Sequence, residues 1–108
     1  MKKWQAVMTD TAVNDLREIA LGIVEISRDP DTAAGIIEEL REKCGILDSG
    51  PESGAVPRDY VLKAMGYRFL VHKHYLIFYI IEPAEDKVYI HAVFNEKQDY
   101  FRVMRNRI

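Results

Sequence analysis

The sequence predicts an α+β fold, a helical hairpin packed on one antiparallel sheet of about four strands, and three observations carry that prediction. From Val13 to Leu47 apolar residues recur every three or four positions, the spacing of a buried helical stripe. From Gly66 to Phe94 the chain alternates with period two and is rich in β-branched and aromatic residues, the texture of strands. Between these halves "DSGPESGAVP", Asp48 to Pro57, gathers two glycines, two prolines and two serines, a loop composition.

The elements follow in order. "KWQAVM", Lys3 to Met8, is short and partly alternating, with Trp4, Ala6 and Met8 on one side, and reads as a first strand. It stops at Thr9-Asp10, side chains that cap helix N-termini. The first helical stripe is Val13, Leu16, Ile19, Ala20, Ile23, Val24 and Ile26, with Arg17, Glu18 and Glu25 on the wet side. "RDPD" then supplies Asp29 as an N-cap, Pro30 at the first helical position and Asp31 in the first turn, where the helix dipole favours a carboxylate. The second stripe is Ala33, Ile36, Ile37, Leu40, Cys44 and Leu47, and Arg41 and Lys43 come late, where cations suit the C-terminal end. With almost no loop between them, the two helices form an antiparallel hairpin.

In the second half, breaks at His72-Lys73-His74 and at Pro83-Ala84-Glu85-Asp86 divide the alternating region into three strands joined by hairpins. The middle strand, Tyr75 to Ile81, is apolar on both faces, as befits a central strand covered by helices on one side and partly on the other. Tyr75 and Tyr79 share one face of it, with hydroxyls directed to partners at an edge. The last strand, Val88 to Phe94, is half polar, with His91 among its outward residues. The tail "EKQDYFRVMRNRI" is helix-compatible, with Tyr100, Val103 and Met104 as its apolar spacing; from Lys97 onward it carries four basic residues against one acidic.

Composition bounds the function. A chain of 108 residues is long enough for one domain, residues 1–108, and one core. Hydrophobic residues make up 48% and charged residues 30%, which excludes a disordered chain. Cys44 is the single cysteine, so no internal disulfide is expected, and no Cys/His spacing marks a zinc site; neither metal nor cofactor is expected. On the apolar stripe of the second helix Cys44 reads as a small buried hydrophobe with no base beside it. The N-terminus lacks the apolar stretch of a signal peptide, and no segment approaches the roughly 20 apolar residues that cross a bilayer. A cytoplasmic protein with no membrane partner is therefore expected. With a formal net charge of −2 and a pI near 5.9, overall charge does not draw the chain to nucleic acid, and such a contact needs a local basic patch.

The order of elements, together with Tyr67-Arg68 opening the second strand, the basic hairpin His72 to His74, the run Tyr75-Leu76-Ile77-Phe78-Tyr79, and Lys97-Gln98-Asp99-Tyr100 after the last strand, resembles the RelE/ParE superfamily of type II toxins. The resemblance covers essentially the whole chain. It implies a growth-inhibiting toxin of the kind associated with plasmid stabilization, held inactive by a co-expressed antitoxin that wraps it. It also implies one of two targets: RelE-like members cut mRNA on the ribosome, and ParE-like members poison DNA gyrase.

Metal-independent RNA cleavage needs a base, an acid and cations that stabilise charge on the phosphoryl group. On the RelE-like reading the resemblance assigns Arg68 as phosphate clamp, Tyr100 as proton-transfer group and Lys97 as second cation, with His72, Lys73, His74 and Arg102 as an additional site. Leu76 stands where RelE-like nucleases carry an arginine, and Asn95-Glu96 where arginine is common. "YLIFY" resembles the ParE branch, so gyrase is the favoured target, mRNA cleavage the alternative, and a non-toxic antitoxin-binding module the third reading.

Overall fold

The computed structural model describes residues 3–107. The elements are β1 (Gln5–Met8), α1 (Asp10–Ser27), α2 (Pro30–Cys44), α3 (Tyr60–Ala64), β2 (Tyr67–His72), β3 (Tyr75–Glu82), β4 (Lys87–Asn95) and α4 (Tyr100–Arg107). The α+β class, the initial strand, the helical hairpin, the three-stranded meander and the helical tail all stand as expected. The sheet runs β1-β4-β3-β2. β2, β3 and β4 pair antiparallel, while β1 pairs parallel with β4, so the sheet is mixed.

Local chemistry fixes the hairpin. The Thr9 side chain accepts the Ala12 N–H at 3.2 Å and caps α1. Arg28 takes the left-handed conformation, φ 58°, that ends that helix. Asp29 accepts the Asp31 N–H at 3.0 Å, and Pro30 starts α2. The first stripe is shorter than its periodicity: Leu16 is buried, but Val13 is 38% and Ile26 88% exposed. The distal end of α1 thus carries apolar residues that the sheet does not cover.

The sheet is covered on both faces. Ile77 and Tyr79 of β3 and Val88, Ile90 and Val93 of β4 pack with Ala12, Leu16, Leu40, Cys44 and Leu47 beneath the hairpin. On the other face Tyr67, Leu76, Phe78, Ala92 and Phe94 pack with Leu62 of α3 and Met104 of α4. Burial pushes the Cys44 thiol up to about 11, which leaves it protonated and inert.

Three features depart from the sequence expectation. The stretch 48–57 is a docked segment carrying a tight turn at Pro51–Ser53, and an antiparallel bridge ties Ala55 to Phe69 on the β2 edge. α3 has five residues, too few for a periodic signal, and its one local mark is Asp59, which accepts the Leu62 N–H at 3.0 Å. β4 is mostly buried rather than half polar, because both faces of the sheet are covered, and a bulge interrupts its register. Phe78 opposes Ala92 while Tyr79 opposes Ile90, so His91 is the extra residue.

Tyr79 is fully buried in the core. Its hydroxyl donates to the Pro51 carbonyl at 2.6 Å and accepts the Gly54 N–H at 2.9 Å, pinning the docked segment to the sheet. Gly54 is required there: a Cβ would sit 2.8 Å from the Phe69 carbonyl oxygen and closer still to the Tyr79 hydroxyl. Tyr79→Phe keeps the ring and orphans two buried backbone groups, so a loss of about 1–3 kcal/mol is expected in urea unfolding. An unchanged midpoint would mean that water replaces the hydroxyl.

Candidate functional site

Strand alternation decides where the expected site residues lie. Directly opposed residues of an antiparallel pair share a face. Arg68 opposes Tyr79 and His72 opposes Tyr75, and both tyrosines pack with the cluster beneath the hairpin. Tyr100 packs with the cluster of the opposite face, its ring 5.4 Å from that of Phe78. Arg68 and Tyr100 are therefore on opposite faces of the sheet.

Arg68 is engaged by the docked segment. Its guanidinium donates to the Gly54 carbonyl at 3.1 Å and the Glu52 carbonyl at 3.4 Å, so it joins Tyr79 in holding residues 52–54. At the β2–β3 turn, Glu39 of α2 accepts from Lys73 at 2.8 Å and pairs with His72 at 2.9 Å. The Lys73 bond first, and then the His72 bond, hold the Glu39 carboxyl below its usual range. His74 pairs instead with Glu96 at 3.0 Å. The basic hairpin is thus balanced by two carboxylates, and Lys73 takes a left-handed φ of 53° without being glycine.

Lys97, Tyr100 and Arg102 lie within six residues of one another in sequence at the start of the tail. Asn95 and Gln98 shape this turn: the Lys97 N–H donates to the Asn95 side chain at 3.0 Å, and the Asn95 N–H to that of Gln98 at 2.9 Å. Asp99 accepts the Arg102 N–H at 3.3 Å. Arg102 lines a groove of about 360 Å³ with Phe101, Arg105, Asp59 and Asp99. Arg105 reaches Asp59 at 3.4 Å, which links the tail to the cap of α3. The Lys97 and Arg102 side chains are exposed.

The sequence reading passed over one buried ion pair. Asp15, 8% exposed, accepts the Val93 N–H at 3.0 Å on the β4 edge just beyond the reach of β1. The same carboxylate takes a two-pronged contact from Arg107 at 2.9 and 2.7 Å, and the guanidinium lies 5.0 Å from the Phe94 ring centroid. An aspartate one residue before the buried Leu16, on the core side of a helix, was the available signal.

A second surface feature is apolar. Ile19, Ile23 and Ile26 of α1 and Tyr75 of β3 line a groove of about 300 Å³ at the distal end of the hairpin, and Leu21 nearby is 55% exposed. Among the described residues no helix is long and apolar enough to cross a membrane.

Two solved structures share the fold. One, the chromosomal ParDE toxin-antitoxin system of P. aeruginosa, superimposes with a TM-score of 0.72 at 18% identity, over 88% of this chain and 98% of that one. The other, the RelBE2 toxin-antitoxin complex of Mycobacterium tuberculosis, gives a TM-score of 0.61 at 23% identity, over 88% and 93%. No curated protein sequence matches. The family model of the ParE toxin of the type II toxin-antitoxin system parDE matches residues 6–100, nearly the whole of the described fold, and the chain therefore belongs to the ParE toxin family.

Proposed function

We propose that this toxin acts on DNA gyrase without cutting nucleic acid, and that a cognate antitoxin holds it inactive. The observation that carries the choice of target is the separation of Arg68 from Tyr100 by the thickness of the sheet. A phosphate clamp and a proton-transfer group must reach one scissile phosphodiester. With Arg68 spent on two backbone carbonyls, the described arrangement supplies no such convergence. The ParE family assignment points the same way.

The antitoxin has a suitable seat in the groove at the distal end of α1. Apolar residues left uncovered on a small domain mark a partner site, and a helix or extended segment with apolar anchors fits such a groove.

Ribosome-dependent mRNA cleavage is the second reading, and exposed Lys97 and Arg102 beside Tyr100 favour it. On that reading Arg68→Ala and Tyr100→Phe each abolish toxicity while antitoxin binding persists. The third reading is a module that binds antitoxin without being toxic.

The test is incorporation of labelled thymidine and labelled methionine in the minutes after induction without antitoxin. The gyrase reading requires thymidine incorporation to fall first. An earlier fall in methionine incorporation would overturn it in favour of the ribosome, and no fall in either would leave the binding module.

A further inference from the structure

The two helical layers that cover the sheet carry opposite charge. The hairpin, residues 10–44, has nine acidic residues against four basic. The opposite layer, residues 58–65 together with 97–107, has six basic against two acidic. A chain whose formal net charge is −2 therefore presents one basic face. Contact with phosphates depends on such a local field and not on the sign of the whole molecule.

Packing of α3 against α4 brings four of these cations together. Leu62 of α3 and Met104 of α4 share one buried cluster, and Arg105 reaches Asp59, the cap of α3, at 3.4 Å. Arg58 precedes that cap, Lys63 follows it by about one helical turn, and Arg102 stands one turn before Arg105 on α4. All four side chains are exposed. Arg58, Lys63 and Arg102 make no ion pair among the described residues. The two carboxylates in this layer are engaged as caps: Asp59 accepts the Leu62 N–H at 3.0 Å and Asp99 the Arg102 N–H at 3.3 Å. Two carboxylates beside four cations leave the cluster positive.

The same face carries Tyr60, 84% exposed on α3 between Arg58 and Lys63 in sequence. Tyrosine hydroxyls are among the groups that bind phosphate and sugar oxygens. The groove of about 360 Å³ between α3 and α4 has Arg102, Arg105, Asp59 and Asp99 in its lining, so its centre is charged. A protein interface has the reverse arrangement, a core depleted of charge inside a polar rim.

We propose that the α3–α4 face binds the phosphate backbone of duplex DNA, with Arg58, Lys63, Arg102 and Arg105 on phosphates and Tyr60 against the same backbone. The choice of duplex DNA rests on the gyrase reading, because DNA is what that target holds. Phosphate contacts position a protein on a duplex without reading its sequence, so the face adds affinity for the DNA beside the target. The apolar groove assigned to the antitoxin lies on the hairpin side of the sheet, so the two surfaces are separate.

The experiment is fluorescence anisotropy of a labelled duplex of about 20 base pairs, roughly two helical turns, titrated with the full chain without gyrase from about 50 to 200 mM salt. Binding is expected at the lower salt, falling with a log–log slope of roughly −3, as three or four neutralised phosphates require. Lys63→Gln with Arg102→Gln is expected to weaken binding at least about tenfold and to flatten the slope by about two. Arg17→Gln with Arg41→Gln removes the same charge from exposed positions on the hairpin and is expected to leave the slope unchanged. Thermal unfolding confirms that both double variants fold. No binding at the lower salt, or equal weakening by the two double variants, would overturn the face. Tighter binding of an RNA hairpin than of the duplex would overturn the assignment to DNA. Failure here is distinct from failure of the gyrase reading: thymidine incorporation falling first, in a toxin that does not bind the duplex, overturns this inference alone.

Discussion

Arg107→Ala is expected to lower the unfolding free energy by about 3 kcal/mol, the lower end of what breaking a buried ion pair costs. The lower end applies because the Arg107 side chain is 30% exposed while that of Asp15 is 10% exposed. Removing the guanidinium leaves a carboxylate largely cut off from water, with the Val93 N–H as its remaining hydrogen-bond partner among the described residues. An uncompensated buried charge is costlier than a missing contact.

The double variant separates these two terms. Asp15→Asn in the Arg107→Ala background removes the stranded charge while an amide oxygen still accepts from Val93, so part of the lost stability returns. Urea unfolding measures both steps. A cost below about 1 kcal/mol for Arg107→Ala alone would class the pair with ordinary surface bridges. Hydrogen exchange adds the structural consequence: the amides of α4 lose protection, because Arg107 is the contact that fastens the end of the tail to α1 and β4.

What the sequence disclosed and what it hid follow from range. Thr9, Asp29 and Pro30 act on amides two or three residues away, or on their own φ, so the caps and the hairpin were readable from consecutive residues. The meander was readable because alternation is local and its breaks are short. The parallel partner of β1 was not, since nothing in "KWQAVM" names β4 as its neighbour. The bulge at His91 was also hidden: one extra residue leaves the composition of a strand unchanged while turning His91 and Ala92 to the same face.

The site divides the same way. Alternation placed Arg68 and Tyr67 on opposite faces of β2, but which face the tail would cover depends on Met104 and Tyr100 meeting Phe78 across the sheet. Asp15 and Arg107 are 92 residues apart. No window of sequence contains both, so their pairing was beyond any motif or periodicity. Arg68 looked like a free cation because the carbonyls that engage it lie 14 and 16 residues upstream, in a segment read as plain loop.

Phe78→Ala is expected to cost about 3–5 kcal/mol, the range for deleting a buried aromatic side chain. Phe78 is 1% exposed. Its ring meets Phe69 at 5.5 Å, Phe94 at 6.0 Å, Tyr100 at 5.4 Å and Tyr67 at 6.5 Å between centroids. It is therefore the residue through which β2, β4 and α4 share one packed layer. A domain of ordinary stability has about 5–15 kcal/mol in total, so the variant is expected to be marginal near 37 °C. Ile26→Ala is the control: that side chain is 88% exposed, and its loss is expected to stay within about 0.5 kcal/mol. Because Tyr100 rests on Phe78, the cavity left by the alanine also removes the surface that seats the tail. Near-UV circular dichroism, which reports fixed aromatic rings, is expected to weaken while far-UV signal from the helical hairpin persists. Equal loss of both signals at one urea midpoint would instead show that the layer beneath α4 and the layer beneath the hairpin unfold as one unit.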